Sequence, residues 1–456
     1  MSLTVLSDDQ IRFILESLDV DELDEFRNVL SLALHEFSTG NGASTQETYQ
    51  LPNRTSTLHP KSKVSTTYVP ACGPGGMGCK VISLTRPDAE EAGARRIQPT
   101  GVLNVFHPDG TPMGFLHART LTAFRTALSS ACLVGRRNHV RTITVFGSGL
   151  QAYWHVRLAL MTRGRCIKHV NIINRRFSEN AGGMLRSFAS IPAAVKEREG
   201  WVSTKFTILT PTFHDYSRLQ EEYIREADVI YCCTPSRQEL FDGKILTDHE
   251  GRRKGRLIVA VGSSTPEMRE LPEELLKRAT KHEKRHWHFH KHAEEGGAIV
   301  VDTLEGAMRD AGEIISANIH PNSLVELGEL LMLHRLAVED SYRESDSDAV
   351  SQSSEDPSYY EGASSSMSTV YEESEPNSSS PVESSSSKTS FSFPSRKNSN
   401  LSEASKKKHD DSLSRWLRDG TVIYKSVGMG LMDLVVGQHL IKVANERQVG
   451  TRVPGF

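Results

Sequence analysis

A chain of 456 residues is too long for one compact core and points to two folded domains plus additional sequence. An apolar share of 37% is low for a wholly globular chain, and a net charge of −3 gives no bulk attraction to nucleic acid or anionic membrane. No apolar run approaches the roughly 20 residues that span a bilayer, and Met1-Ser2-Leu3-Thr4-Val5-Leu6 has no basic or apolar signal region. Reduced thiols in a cytoplasmic protein are therefore expected for the scattered cysteines at 72, 79, 132, 166, 232 and 233.

Ser7 predicts a helix N-cap, with Gln10 at capping-box spacing and Ile11, Ile14, Leu15 and Leu18 at helical spacing. A second helical stretch covers Asp21 to Phe37, with Leu23, Phe26, Leu30, Ala33, Leu34 and Phe37 on one face. Residues 38–63 are polar. Between Ser65 and Phe124, Thr67–Val69, Cys79–Leu84, Gly101–Phe106 and Gly114–Leu116 are strand-like, and Pro108-Asp109-Gly110 is a strong turn signal. An antiparallel or mixed sheet follows from this pattern.

Near Arg137 the pattern changes. Thr142–Phe146, Val170–Asn174, Phe206–Leu209, Val229–Cys233, Leu257–Val261 and Ala298–Val301 are short apolar runs separated by helical spacers. Six such runs predict a parallel, doubly wound sheet. Helical sequence resumes at Leu304–Ile315 and Ser323–Leu336. Between 351 and 400, 20 residues are Ser and few are large and apolar, so burial cannot offset the entropy of ordering. Residues 340–412 are expected to be a disordered surface insertion. A strand-like Thr421–Tyr424 and a helix from Met429 to Asn445 come after it.

The strand Thr142–Phe146 leads directly into Gly147-Ser148-Gly149-Leu150-Gln151-Ala152 and then a helix. That is the context a dinucleotide-binding glycine turn requires. Gly147 allows the tight turn, Gly149 lets a pyrophosphate approach the backbone, and Ala152 lets helix and strand lie close. The helix N-terminus offers free N–H groups to the phosphates. At the end of the second strand, where NAD binders place an acid, the chain has Asn174-Arg175-Arg176. Two guanidiniums suit a 2′-phosphate, so NADP(H) is expected in preference to NAD(H). Thr234, Gly262 and Ser263, at the ends of later strands, join the expected cofactor-binding residues with Gln151, Arg125 and Thr126.

The chain resembles the ornithine cyclodeaminase/mu-crystallin family. The resemblance rests on Gly76–Lys80, Leu121–Ala127, Gly147–Ala152, Ala260–Leu271, Val301-Asp302 and Ser426–Asp433, which follow the family's order. It implies a Rossmann domain between two halves of a substrate- and dimer-forming domain, and a homodimer. It also implies that Arg54, Lys80 and Arg125 grip a substrate carboxylate. Guanidinium forks fix a carboxylate in orientation, and an ammonium adds charge and a proton. Cyclodeaminase members carry an acid in the loop after the fifth Rossmann strand, where this chain has Ser264, itself expected among the substrate-binding residues. A serine is no base near neutral pH, so ornithine is not the expected substrate.

Other segments carry less. The histidines at 282, 286, 288, 290 and 292 lie among Lys and Arg, which disfavours a metal, and an exposed loop is expected. Asp302 and Glu313 are expected to cap or hydrogen-bond at the domain junction. Asp433 suits the dipole of the last helix or the cleft itself. Arg396-Lys397-Asn398-Ser399 is a stretch that a basophilic kinase could read.

The fold expected is therefore α/β: a Rossmann doubly wound parallel sheet plus an α/β substrate and dimerisation domain built from both termini, with the Ser-rich insertion. The expected boundaries are 1–124, 125–320, 321–339 with 413–456, and 340–412 for the insertion. The expected activity is NAD(P)H-dependent oxidoreduction of the C=N or C–N bond of small cyclic imino or amino acids. Ornithine cyclodeamination with bound NAD, and a non-enzymatic binding protein, are the alternatives. No metal, nucleic acid or membrane is expected as partner.

Overall fold

The computed structural model of the chain describes residues 2–40, 47–85, 97–280, 297–331 and 416–456. Six strands precede the glycine turn: β1 (Ser2–Leu6), β2 (Thr55–Leu58), β3 (Val64–Gly73), β4 (Gly76–Thr85), β5 (Thr100–Phe106) and β6 (Pro112–His117). Eight more follow: β7 (Thr142–Phe146), β8 (His169–Ile173), β9 (Lys205–Leu209), β10 (Val229–Cys232), β11 (Leu257–Ala260), β12 (Gly297–Val301), β13 (Leu324–Glu326) and β14 (Thr421–Lys425). The last, β15, is Thr451–Pro454.

The first sheet has the order β15-β1-β6-β5-β4-β3-β2. It is mixed, because β1 runs parallel to β6 while its other pairings are antiparallel. The alternation along β5 and β6 turns Leu103, Val105 and Leu116 inward, as a sheet covered on one face requires. The helix Gly430–Glu446 packs against this side, and the helix Val20–Thr39 packs on it in turn. Capping boxes start the two N-terminal helices, Ser7 with Gln10 and Asp19 with Glu22.

The second sheet is wholly parallel, in the order β13-β12-β14-β11-β10-β7-β8-β9. Every residue of β7, β10 and β11 is buried. Burial on both faces explains why these strands read as unbroken apolar runs. The winding reverses between β7 and β10, so the crevice at their C-terminal ends is the topological switch point.

One helix joins the layers. Ala118–Val134 is buried except at Arg119 and Thr122. Its small residues, Ala123, Ala127, Ser129, Ser130 and Ala131, let neighbours approach closely, and the hydroxyls find partners. Ser130 bonds His155 at 3.0 Å and Ser129 donates to the Thr126 carbonyl. Phe124 stands edge-on to both Phe26 and Trp154, linking the N-terminal helices to the helix of the glycine turn.

The structure departs from the sequence reading in several places. Strand β14 lies in the middle of the parallel sheet, between β11 and β12. Residues 413–456 are thus divided between the sheets rather than returning as one block to the first. Eight parallel strands are present where six were expected: β14 is one addition, and β13, which opens Ser323–Leu336 before the helix Leu327–Leu331, is the other. The strand β1, unforeseen, anchors the first sheet. The Ser-rich insertion, its Arg396–Ser399 motif and the 282–292 histidines lie outside the described residues. Among the described residues no helix is long and apolar enough to cross a membrane.

The inserted strand supplies a stability prediction. Ile423 is fully buried in β14, so Ile423→Ala should cost about 2–5 kcal/mol in denaturant unfolding. A change below about 0.5 kcal/mol, the usual size at a surface position, would show that β14 does not sit within the sheet.

Candidate functional site at the junction of the two sheets

The glycine turn lies at the switch point. Gly147 has φ +101° and its missing Cβ would stand 3.0 Å from the Cys233 carbonyl and the Thr234 methyl, so the loop after β10 passes directly over it. Gly149 is the N-cap of the helix Leu150–Arg163 and makes no side-chain cap, and a Cβ there would meet nothing within 4 Å. Free N–H groups therefore face open space, as a pyrophosphate requires. Ala152 is fully buried, which permits close helix–strand packing. The Gln151 Oε1 is buried with no hydrogen-bond partner among the described residues. These features fit a bound dinucleotide.

At the end of β8, Asn174 folds the turn by donating to the Arg176 carbonyl at 2.9 Å and to Ser178 Oγ at 3.3 Å. Arg175 and Arg176 are exposed and have no ion-pair partner among the described residues. Thr234, Gly262 and Ser263 sit together at the ends of β10 and β11. A Cβ on Gly262 would lie 2.2 Å from the Thr234 carbonyl oxygen. Thr126 differs: its hydroxyl donates to the Thr122 carbonyl at 2.8 Å and so turns along its own helix.

On the facing side, Lys80 projects from β4 and Arg125 from the buried helix, and both meet Asp433. Lys80 Nζ is 2.5 Å from Asp433 Oδ2, and Arg125 Nε is 2.9 Å from Oδ1. All three side chains are almost completely buried. Burial pushes the Lys80 ammonium down to about 8; Asp433 opposes this, and the charges of Arg125 and Arg54 add to it. Burial pushes the Asp433 carboxyl up, but Arg125 and Lys80 more than offset it and hold the group below its usual range.

Arg54 takes a different carboxylate. Its Nη2 is 2.6 Å from Asp310 Oδ2 and donates to the Ser264 carbonyl at 3.1 Å. Asp310 also pairs with Arg309 at 2.9 Å. The structure thus brings Lys80 and Arg125 to one anion and places Arg54 beside the loop after β11. Ser264 is half-buried there, meeting Arg54 through its carbonyl.

The end of β14 closes the junction. Gly428, at φ +78°, lies against the Arg125 guanidinium, where a Cβ would be 2.7 Å from Nη2. Asp302 fixes this bend, accepting from Gly428 N at 2.7 Å, from Ser426 Oγ at 2.8 Å and from the Tyr424 hydroxyl. Asp433 is the group that sequence reasoning left outside the site. Its signal was an acid between Met432 and Leu434 in the apolar first half of the helix, a position that needs a buried counter-charge.

A doubly wound sheet with a glycine turn at its switch point, joined to a mixed sheet that presents paired cations, defines a dinucleotide-binding α/β protein. Residues 14–323 match the ornithine cyclodeaminase/mu-crystallin family, and the chain belongs to it. An uncharacterized protein of Saccharomyces cerevisiae, YGL159W, is 29% identical over 252 residues, or 50% of this chain; the chain spans 63% of that relative's length. A Delta(1)-pyrroline-2-carboxylate reductase of Bacillus cereus is 26% identical over 288 residues, 62% of this chain and 72% of that one. The fold matches the Thermococcus litoralis Delta(1)-pyrroline-2-carboxylate reductase solved with NADH and L-proline, at TM-score 0.59 and 17% identity, covering 99% and 100% of the two chains.

The crowding at Gly262 gives a direct check. Gly262→Ala forces a side chain into the Thr234 backbone, which cannot yield without displacing the loop over Gly147. Quenching of tryptophan fluorescence by added NADH should weaken at least tenfold in this variant; an unchanged titration would remove these loops from the cofactor site.

Proposed function

We propose that the chain reduces, with NAD(P)H, the C=N bond beside the carboxylate of a small cyclic imino acid, and runs the reverse amino-acid oxidation at the same site. The observation that carries the reading is the convergence of Lys80 and Arg125 on the single carboxylate of Asp433. Two cations against one anion leave a positive charge available to an anionic substrate. Both cations retain donors not spent on Asp433, since an ammonium has three and a guanidinium five. Arg54 adds a third cation at the edge of the same region, near enough to act on the Lys80 charge. The name of the Bacillus cereus relative supports this class of substrate.

The nicotinamide, when bound, supplies or accepts the hydride at the carbon next to the carboxylate. The protein's own groups do the rest. Arg125, held by Asp433 and by the bend at Gly428, orients the carboxylate. Lys80, charged below about 8, holds a proton that it can give to the ring nitrogen. Asp433 keeps that ammonium charged in a site where burial works against it. Ser264 provides no carboxylate, and Asp310, which shares Arg54 with it, is occupied by Arg54 and Arg309. A side-chain ammonium such as that of ornithine thus finds no free carboxylate at Ser264 or at Asp310.

NADP(H) is the preferred cofactor in this reading, because Arg175 and Arg176 stand exposed, with no ion-pair partner among the described residues, at the end of β8, where a 2′-phosphate would be met. The family resemblance supports a homodimer.

Purified protein given NADPH and a cyclic ketimine carboxylate should oxidise the nucleotide, read as loss of its near-ultraviolet absorbance. Ammonia and proline from ornithine with NAD would mark a cyclodeaminase instead, and retained cofactor with neither product would mark a binding protein. Reduction needs Lys80 protonated, so kcat/KM should fall above about pH 8. Asp433→Asn removes the charge that supports the ammonium, and should move this break to lower pH. A break that stays in place would take Lys80 out of the proton transfer. Arg175→Asp should weaken NADPH binding more than NADH binding, whereas equal weakening would refute the 2′-phosphate assignment.

A further inference from the structure

Beneath the cofactor loops lies a buried polar cluster that the reaction above does not use. Glu270 is fully buried, and its two oxygens serve different loops. Oε1 accepts from Thr234 N at 2.7 Å and from Thr234 Oγ1 at 3.2 Å, both in the loop after β10. Oε2 accepts from Gly262 N at 2.7 Å, Ser263 N at 3.1 Å and Ser263 Oγ at 3.5 Å, all in the loop after β11. We propose that Glu270 is a positioning residue that staples these two loops together, one oxygen to each, and so sets the floor of the cofactor cleft. The proposal rests on the cofactor site assigned above.

The staple extends toward the substrate side. Lys425, at the end of β14, donates to the Ser263 carbonyl and hydroxyl, each at 2.5 Å. Glu313 accepts from that hydroxyl and from the Glu270 backbone N–H at 3.1 Å. Ser263 is thus held by three charged side chains, and the next carbonyl, that of Ser264, receives Arg54. A shift of residues 262–264 therefore reaches Arg54 as well as the turn at Gly147.

The charges are uneven. Glu270 and Glu313 share one buried ammonium, Lys425, 3.4 Å from Glu313 Oε1. Glu313 Oε2 has no partner among the described residues. The thiols of Cys232 and Cys233 lie within reach of the Glu270 charge, and burial keeps both uncharged. Burial pushes Glu270 up to about 7, with Glu313 adding to the rise and Lys425 and the backbone N–H groups opposing it. Protonation would turn one acceptor oxygen into a donor facing N–H groups, which loosens one of the two loops. Glutamine would do the same permanently.

Two measurements on the full chain test this. Without cofactor, the Thr234, Gly262 and Ser263 amides should exchange slowly with solvent in the wild type. In Glu270→Gln they should exchange much faster in at least one loop, while Val145 in β7 stays protected in both. NADH binding, followed by fluorescence quenching, should weaken about tenfold or more in Glu270→Gln, the range for losing hydrogen bonds to a buried charge. In the wild type alone, NADH should bind more weakly at pH 6 than at pH 8, and the variant should lose that dependence. Protection of the three amides in the wild type decides the question even if the variant does not fold. Fast exchange of all three amides in the wild type, or unchanged exchange at all three in Glu270→Gln, overturns the proposal. Should the wild type bind neither NADH nor NADPH at any pH, the cofactor assignment fails and the exchange rates still judge the staple.

Discussion

The structure turns on the carboxylate of Asp433, held between Lys80 and Arg125 with almost no access to water. Three charges of this kind could not be buried singly, because each alone would face a desolvation cost of several kcal/mol. Together they are tolerable, and they tie a strand, a central helix and the last helix across separations of 353 and 308 residues. Removing Asp433 would leave two buried cations in mutual repulsion. The carboxylate also fixes the shape of the cluster: it takes one edge of the guanidinium and one proton of the ammonium, leaving the remaining donors in a defined direction. Preorganisation of this kind is what a carboxylate-binding site needs.

The same end of the chain completes the other layer. Between the buried strand β14 and the helix bearing Asp433 runs the bend at Gly428, gripped by Asp302 from the end of β12. A glycine is required there twice over, by its left-handed φ and by the guanidinium that occupies the space of a side chain. The C-terminal residues thus contribute a central strand to the parallel sheet, a bend against Arg125 and the counter-charge of the cluster. The two sheets share their last segment, so geometry at the cleft is set by covalent continuity as much as by surface contact.

What the sequence showed follows from which forces are local. The glycine turn at 147–152 was legible because its conformation, its strand and its helix all lie within some twenty consecutive residues. Capping by Ser7 and Gln10 was legible for the same reason. Lys80 and Arg125 were legible only through family resemblance; nothing around either residue shows that they meet. Strand β1 escaped notice because five residues pairing with β6 and β15 have no local signature, and its partners are over a hundred and over four hundred residues away. The place of β14 was hidden in the same way: its apolar run predicts a strand, but only non-local pairing selects the sheet. Glu270 looks like an ordinary acid of a loop, and its burial, like the partners of Asp433, appears only once the layers are assembled.

The two perturbed groups at this junction carry opposite linkages. Glu270 has a pKa raised to about 7, so its contribution to folding is fully present below the ordinary carboxylate range and is lost as pH rises through 7. Lys80 has a pKa lowered to about 8, so its contribution is present above the ordinary ammonium range and is lost as pH falls through 8. Between about 7 and 8, therefore, both groups carry the charge that the fold tolerates least. In that same interval Glu270 is a carboxylate with an oxygen for each loop, and Lys80 is an ammonium with a proton to give. Charged groups held against the preference of their surroundings are a mark of sites kept for chemistry rather than stability. Ser263, Ser264 and Arg54 form the path between Glu270 and the buried cations.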